Sequence, residues 1–120
     1  MTAVRISLTL IALLFLHPAR ANAPDGFPAA EFFSQLASAD AQTKVGLLGF
    51  FGGLLDGISW TNVMARQNGR AIYCPPGALR IDLERGLTMA KTTLQSRPSW
   101  GTYPIGLVLL QAHRLEFPCR

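Results

Sequence analysis

Two cysteines are the feature that most restricts how this chain can fold. Cys74 lies past the middle of the sequence, and Cys119 is its penultimate residue. A disulfide between them would close a long loop and, by the chain-entropy estimate, stabilise the fold by about 4 kcal/mol. That is a large share of the stability of a small domain. Whether the bond forms depends on the compartment, because disulfides persist in oxidising surroundings.

The N-terminus has the three-part layout of a secretory signal peptide. A basic start precedes an uncharged apolar run at 6–16, and small residues follow at 19–23. This order is typical of a cleaved leader. As a helix the apolar run would span only about 16 Å, far less than a bilayer core of about 30 Å, which argues against a membrane anchor. Cleavage is predicted after Ala21, because a cut after Ala23 would place Pro24 beside the scissile bond.

We therefore expect a signal peptide at 1–21 and a single periplasmic domain at 22–120. In that compartment Cys74 and Cys119 are predicted to pair with each other. The net charge of +4 includes the arginines of the leader, so the mature domain is less basic than the whole chain. Because no run of Lys or Arg occurs, we expect no nucleic-acid partner, and no membrane contact after cleavage.

Helical periodicity predicts an all-α fold, a small bundle of four to five helices closed by one disulfide. Pro28 suits the first position of a helix, and Asp40 suits the N-cap of a second helix beginning near Ala41. A third helix is predicted before Arg97, and a fourth over 104–116. The core stripes predicted for these last two helices are Leu79, Leu83, Leu87, Ala90 and Leu94, then Ile105, Val108, Leu109, Ala112 and Leu115.

The second helix contains the most unusual stretch of the chain, the glycine-rich apolar run 45–55. It is apolar nearly all round, which predicts burial on most sides. Each interior glycine costs about 1 kcal/mol of helix stability, so we expect a neighbouring backbone to approach closely. We favour a central position in the bundle, and the alternative is a seam for self-association that would give a homodimer. Residues 57–70 either continue this helix or form a second short one.

The sequence shows no cluster of catalytic residues. His113 is the only histidine of the predicted mature domain, and both thiols are expected to be oxidised. Asp82 and Glu84 would point about 200° apart on a helix, which makes a poor acid–base pair. No metal-ligand spacing and no phosphate-binding glycine loop occur. We predict no enzyme activity, no metal and no cofactor, with His113 as a surface or half-buried structural residue.

A small exported domain without catalytic residues is expected to act by contact with a partner. Trp, Tyr and Arg are the residues that most often dominate binding energy at interfaces. Arg97, Trp100 and Tyr103 cluster in one predicted loop, and we predict that they bind a partner together with Trp60 and Arg66. The alternative is that Trp100 and Tyr103 fold inward as a lid on the bundle.

An ordered set of short motifs resembles the Rap/Tai family of immunity proteins of the type VI secretion system. The resemblance covers roughly residues 40–119. The motifs are Gly49-Phe-Phe-Gly-Gly-Leu-Leu-Asp-Gly57, Tyr73-Cys74-x-Pro76, the leucine stripe of the third helix, Arg97-Pro98, Pro104, Ala112 and Phe117-Pro118-Cys119.

The resemblance implies a periplasmic all-α protein that blocks a cell-wall-degrading effector, such as a peptidoglycan amidase, by binding and occlusion. It also implies that some members act as dimers. Other interpretations remain: an acid-stress chaperone of the HdeA type, a self-assembling envelope protein, or an inhibitor of host lysozyme. The mature chain has only seven carboxylates and one histidine, a modest supply of groups for an acid-driven switch.

Overall fold

The structure, a computed structural model, describes residues 26–120. The predicted signal peptide and its boundary after Ala21 lie outside these residues. A short 3₁₀ helix, Pro98–Thr102, lies between the last two α-helices. The α-helices are α1 (Ala29–Ser38), α2 (Ala41–Gln67), α3 (Leu83–Ser96) and α4 (Ile105–Glu116). The predicted all-α fold class is confirmed.

The start of α2 follows the sequence prediction. The side chain of Asp40 accepts a hydrogen bond from the Thr43 amide at 2.7 Å, which satisfies one of the free N–H groups of the first turn. The helix then continues without interruption to Gln67, so residues 57–67 extend it and do not form a separate helix. It ends at the Asn68-Gly69 turn, where Gly69 adopts a positive φ of 69°.

The third helix begins later than its leucine pattern predicted. Asp82 is its N-cap and accepts a hydrogen bond from the Arg85 amide at 2.9 Å. Leu79 therefore lies in the connection between α2 and α3 and not on the helical stripe, and that prediction was wrong. We call residues 71–82 the connecting segment. Its turn at Gly77, with φ of 52°, precedes Leu79, and residues 79–82 between this turn and α3 are not helical.

The larger hydrophobic core lies where all four α-helices meet. The rings of Phe32 and Phe51 stack across it with centroids 5.4 Å apart. Two backbone hydrogen bonds of 2.8 Å, from Ala29 N to Tyr103 O and from Ile105 N to Phe27 O, join the starts of α1 and α4. The buried members of this core are Ala29, Phe32, Leu47, Phe51, Leu55, Ala90, Ile105, Val108 and Leu109.

A smaller core and the disulfide fasten the connecting segment to the end of α4. The predicted bond between Cys74 and Cys119 is present, with the Cα atoms 4.9 Å apart. Beside it the Cys74 amide donates a hydrogen bond to the Phe117 carbonyl at 2.8 Å. The buried members of this smaller core are Tyr73, Met89, Ala112 and Phe117. The prediction of a bundle closed by one disulfide is confirmed.

The prediction that α2 is buried on most sides was wrong. Its neighbours α1, α3 and α4 pack on the face that carries Phe51 and Leu55. The opposite face is open, and Val45, Trp60 and Met64 are 64–70% exposed. A Cβ atom placed on any of five α2 glycines would meet nothing within 4 Å among the described residues, so the expected close approach of a backbone is absent. These glycines are Gly46, Gly49, Gly52, Gly53 and Gly57.

One member of the predicted α4 stripe also lies outside the core. Leu115 is 48% exposed, whereas Ile105, Val108, Leu109 and Ala112 are buried as predicted. In the last turn of α4 the inward position belongs to His113, so Leu115 is left at the surface.

Candidate partner-binding groove

An open groove of about 400 Å³ lies between the C-terminal half of α2 and the connecting segment. Trp60 and Arg66 line it from α2, and Arg80 lines it from the connecting segment. Tyr73 and His113, both buried, lie at its base. Its volume falls within the range of pockets that hold small ligands, about 300–1,000 Å³.

One buried amide attaches the connecting segment to α2. The Asn62 side chain donates from Nδ2 to the Tyr73 carbonyl at 2.9 Å, and its Oδ1 accepts from the amides of Ile72 at 2.7 Å and of Tyr73 at 3.1 Å. Asn62 is not among the residues predicted from the sequence. The available signal was its position four residues after Ile58 and seven after Leu55, on the face of α2 that is buried. A polar residue there needs a partner, and the connecting segment supplies it.

His113 lies at the base of the groove and is only 1% exposed. Its Nδ1 lies 2.7 Å from the Leu109 carbonyl, and its ring packs against the Tyr73 ring at 4.7 Å between centroids. Burial lowers the pKa of His113, so the imidazole is neutral near pH 7. The prediction of a surface or half-buried histidine was wrong, because the ring takes the inward place in the last turn of α4.

The neutral ring has one nitrogen left for another molecule. With the proton on Nδ1 directed at the Leu109 carbonyl, Nε2 of His113 is an acceptor. Nε2 forms no hydrogen bond with residues 26–120, and because no fully buried side-chain nitrogen or oxygen among them lacks a partner, Nε2 must be accessible to solvent. An acceptor nitrogen is therefore available at the base of the groove.

The charged side chains that line the groove are two arginines and one carboxylate. Arg66 and Arg80 come from opposite walls, and Asp56 comes from α2 one turn before Trp60. All three are exposed, so their charges face water in the free protein. With His113 neutral, the sum of these charges is positive.

The structure divides the predicted partner-binding residues between two places. Trp60 and Arg66 line the groove, whereas Arg97, Trp100 and Tyr103 belong to the 3₁₀ helix region and do not line it. Trp100 is partly buried against the larger core, with the Arg97 guanidinium 4.8 Å from the centre of its ring. Tyr103 is 45% exposed. The lid interpretation therefore fits Trp100, and Tyr103 stays at the surface.

A second open groove of about 420 Å³ lies between α3 and α4. Threonines and the exposed Leu115 line it, and Arg85 and Glu116 approach within 3.9 Å at its edge. It lacks an aromatic side chain and a buried titratable group, so the groove beside α2 is the stronger candidate site. Among residues 26–120 there is no group of three or more side chains suited to hold a metal ion. No helix in that range has the length and hydropathy of a membrane span.

Residues 26–120 thus define a small all-α domain, closed by a disulfide, with an open groove beside its longest helix. Comparison with models of protein families, with curated protein sequences and with solved structures finds no significant match.

Proposed function

We propose that this chain is a periplasmic immunity protein that binds and occludes a cell-wall-degrading effector of the type VI secretion system, of the peptidoglycan amidase class. The starting point is the resemblance of the motifs between Gly49 and Cys119 to the Rap/Tai family. The observation that carries the proposal is the groove in which Trp60 and Arg66 stand exposed above a preformed wall.

Two features support action by contact. Trp60 is 69% exposed, and Met64 one turn later is 64% exposed, which is unusual for large apolar side chains that serve only the fold. Rigid elements fix the start of the groove wall, because Asn62 and the disulfide hold its adjacent residues Tyr73 and Cys74. A preorganised surface loses less conformational entropy when it binds.

The test is co-expression with the product of an adjacent reading frame that encodes a small cell-wall amidase. We expect a stable complex, inhibition of the amidase, and survival of cells that export the enzyme to the periplasm. Trp60→Ala should weaken the complex by about tenfold or more, the range of an interface hot spot. Arg114→Ala serves as the control, because Arg114 is exposed on α4 and does not line the groove. A folded protein that neither binds nor protects would refute the proposal.

The acid-stress chaperone remains a second candidate, favoured by one observation. The pKa of His113 is lowered by burial, so its protonation in acid places a charge at the buried base of the groove and destabilises the folded state. A chaperone of this kind should suppress aggregation of client proteins only after acidification. An immunity protein should bind its single partner at neutral pH.

We further propose a homodimer through the glycine-rich stretch 46–57 on the open face of α2, which leaves Trp60 and Met64 available to the effector. The glycines on this face have open space around them, which allows the backbone of a second helix to approach closely. Gly49→Leu and Gly53→Leu should shift the molecular mass in solution from dimer to monomer. The same substitutions leave the groove lining unchanged, so partner binding separates the two proposals. A monomeric wild-type protein would refute the dimer.

A further inference from the structure

We propose that the groove beside α2 receives an acidic loop of the partner protein, with a carboxylate held by Arg66 and Arg80 and a donor group hydrogen-bonded to Nε2 of His113. This inference rests on the proposed function and names the chemistry by which the partner is recognised.

The sign of the charge follows from the groove lining. Two guanidinium groups reach the groove from opposite walls, and a single carboxylate, Asp56, opposes them. A guanidinium presents its N–H groups in a planar fork that matches a carboxylate, and a group placed between two forks can bind both. A basic loop would meet both arginines and is disfavoured, whereas a neutral loop would leave the positive potential uncompensated.

The hydrogen-bond donor follows from His113. Its ring is nearly completely buried, Nδ1 is used by the Leu109 carbonyl, and Nε2 has no donor among the described residues. A hydroxyl or amide on the entering loop would complete the pairing of this nitrogen. The neutral state suits that role, because an imidazolium has no acceptor nitrogen. Lowering the pKa by burial keeps this state populated at neutral pH.

A protein loop fits the remaining surface better than an isolated acid does. Trp60, Leu79 and Ile81 line the same groove beside the charged groups, so apolar side chains next to the carboxylate find a matching surface. Trp60 is 69% exposed, which leaves its ring free to cover such a side chain.

The probe is a capped pentapeptide, glycine-leucine-aspartate-serine-glycine, compared with matched peptides that carry asparagine or lysine in place of aspartate. We expect the aspartate peptide to bind about tenfold more tightly than the asparagine peptide, and the lysine peptide to bind least. Arg66→Gln and Arg80→Gln should each remove the preference, whereas Arg114→Gln should preserve it. Higher salt should weaken the binding of the aspartate peptide more than the binding of the asparagine peptide.

The NMR signals of the His113 imidazole provide a second readout, which depends on the hydrogen bond to Nε2 and not only on the charge of the peptide. The ¹⁵N resonance of Nε2 of His113 should shift on binding, and a peptide with alanine in place of serine should reduce that shift. Equal affinities for the three peptides, an unchanged preference in both arginine variants, or a lack of saturable binding by the aspartate peptide would overturn the inference.

The effector complex distinguishes failure of this inference from failure of the proposed function. If Arg66→Gln and Arg80→Gln bind the effector as tightly as the wild type does, the groove chemistry is wrong and the immunity role stands. If the acidic peptide binds as expected but no amidase is inhibited, the groove chemistry stands and the immunity role is wrong.

Discussion

Replacing Asn62 by leucine tests whether one buried amide holds the connecting segment in place. The two side chains have the same number of heavy atoms and the same branching, and leucine is the bulkier, so the change leaves no room for water. It removes three hydrogen bonds and leaves the amides of Ile72 and Tyr73 and the carbonyl of Tyr73 without their partner.

The expected loss can be estimated group by group. A buried backbone group left unpaired costs about 1–3 kcal/mol, and Tyr73, which is 4% exposed, contributes two such groups. The amide of Ile72 is only partly buried and regains some hydration, so its cost lies at the lower end. Burial of the apolar surface of leucine stabilises the folded state by about 1 kcal/mol. The free energy of unfolding should therefore fall by about 2–6 kcal/mol.

Urea unfolding followed by circular dichroism measures this change, and the slope with denaturant should stay the same. Asn68→Ala is the matched control: the Asn68 side chain also donates to a backbone carbonyl, that of Met64, but it is exposed, so the change should stay within about 0.5 kcal/mol. If Asn62→Leu does not fold, Asn62→Asp provides the measurement. It keeps the acceptor for both amides but turns a second carboxylate oxygen toward the Tyr73 carbonyl, so it should also destabilise, and less in acid, where the protonated carboxyl can donate. An Asn62→Leu protein within about 1 kcal/mol of the wild type would refute the reasoning.

Three further predictions concern acid, the disulfide and the glycines. Because burial lowers the folded-state pKa of His113, its contribution to stability is complete above the unfolded value of 6.5 and is lost as the pH falls through the folded value. His113→Phe should therefore reduce the fall of the melting temperature as the pH drops below 6.5. An unchanged dependence on pH would contradict the role given to His113. Reducing the disulfide should lower the free energy of unfolding by up to about 4 kcal/mol, measured by urea unfolding with and without reductant. In the monomer, at protein concentrations too low for a dimer, Gly53→Ala should stabilise α2 by about 0.5–1 kcal/mol because the added methyl group meets open space. Gly101→Ala should destabilise, because its Cβ would lie 2.9 Å from the Cβ of Ala30, and equal effects of the two substitutions in thermal melts would contradict the packing.

The parts of the fold that depend on local sequence were predictable. The Asp40 cap acts within three residues, and the Phe117-Pro118-Cys119 ending places one half of the disulfide directly after a helix. These features follow from backbone chemistry and from the pairing of two cysteines. The start of α3 was misplaced because Leu79 keeps the helical spacing, although the turn before it and the Asp82 cap make the helix begin later.

Which face of each helix is buried and which is exposed was less predictable. The apolar run of α2 predicts burial but does not specify which neighbours cover it, and the structure covers one side only. The groove shows the same limit. Trp60 and Arg66 could be chosen by residue type. Arg80 joins them only because the connecting segment folds back across α2, and His113 only because the end of α4 packs against Tyr73 of that segment. Contacts between distant parts of the chain decide such placements, and one sequence carries little information about them.

The groove wall explains why the disulfide and Asn62 matter together. The connecting segment has no helical hydrogen bonds of its own, and it is held to α2 through Tyr73 and to the end of α4 through Cys74. Because these two residues are adjacent, one short stretch carries both attachments, while Arg80 lies several residues further along, near the start of α3. Reducing the disulfide leaves the Asn62 attachment in place, so the base of the groove should persist while the C-terminus loosens. Losing Asn62 instead frees the wall from α2 and separates Arg80 from Arg66, so it should impair acidic-loop binding more than reduction does.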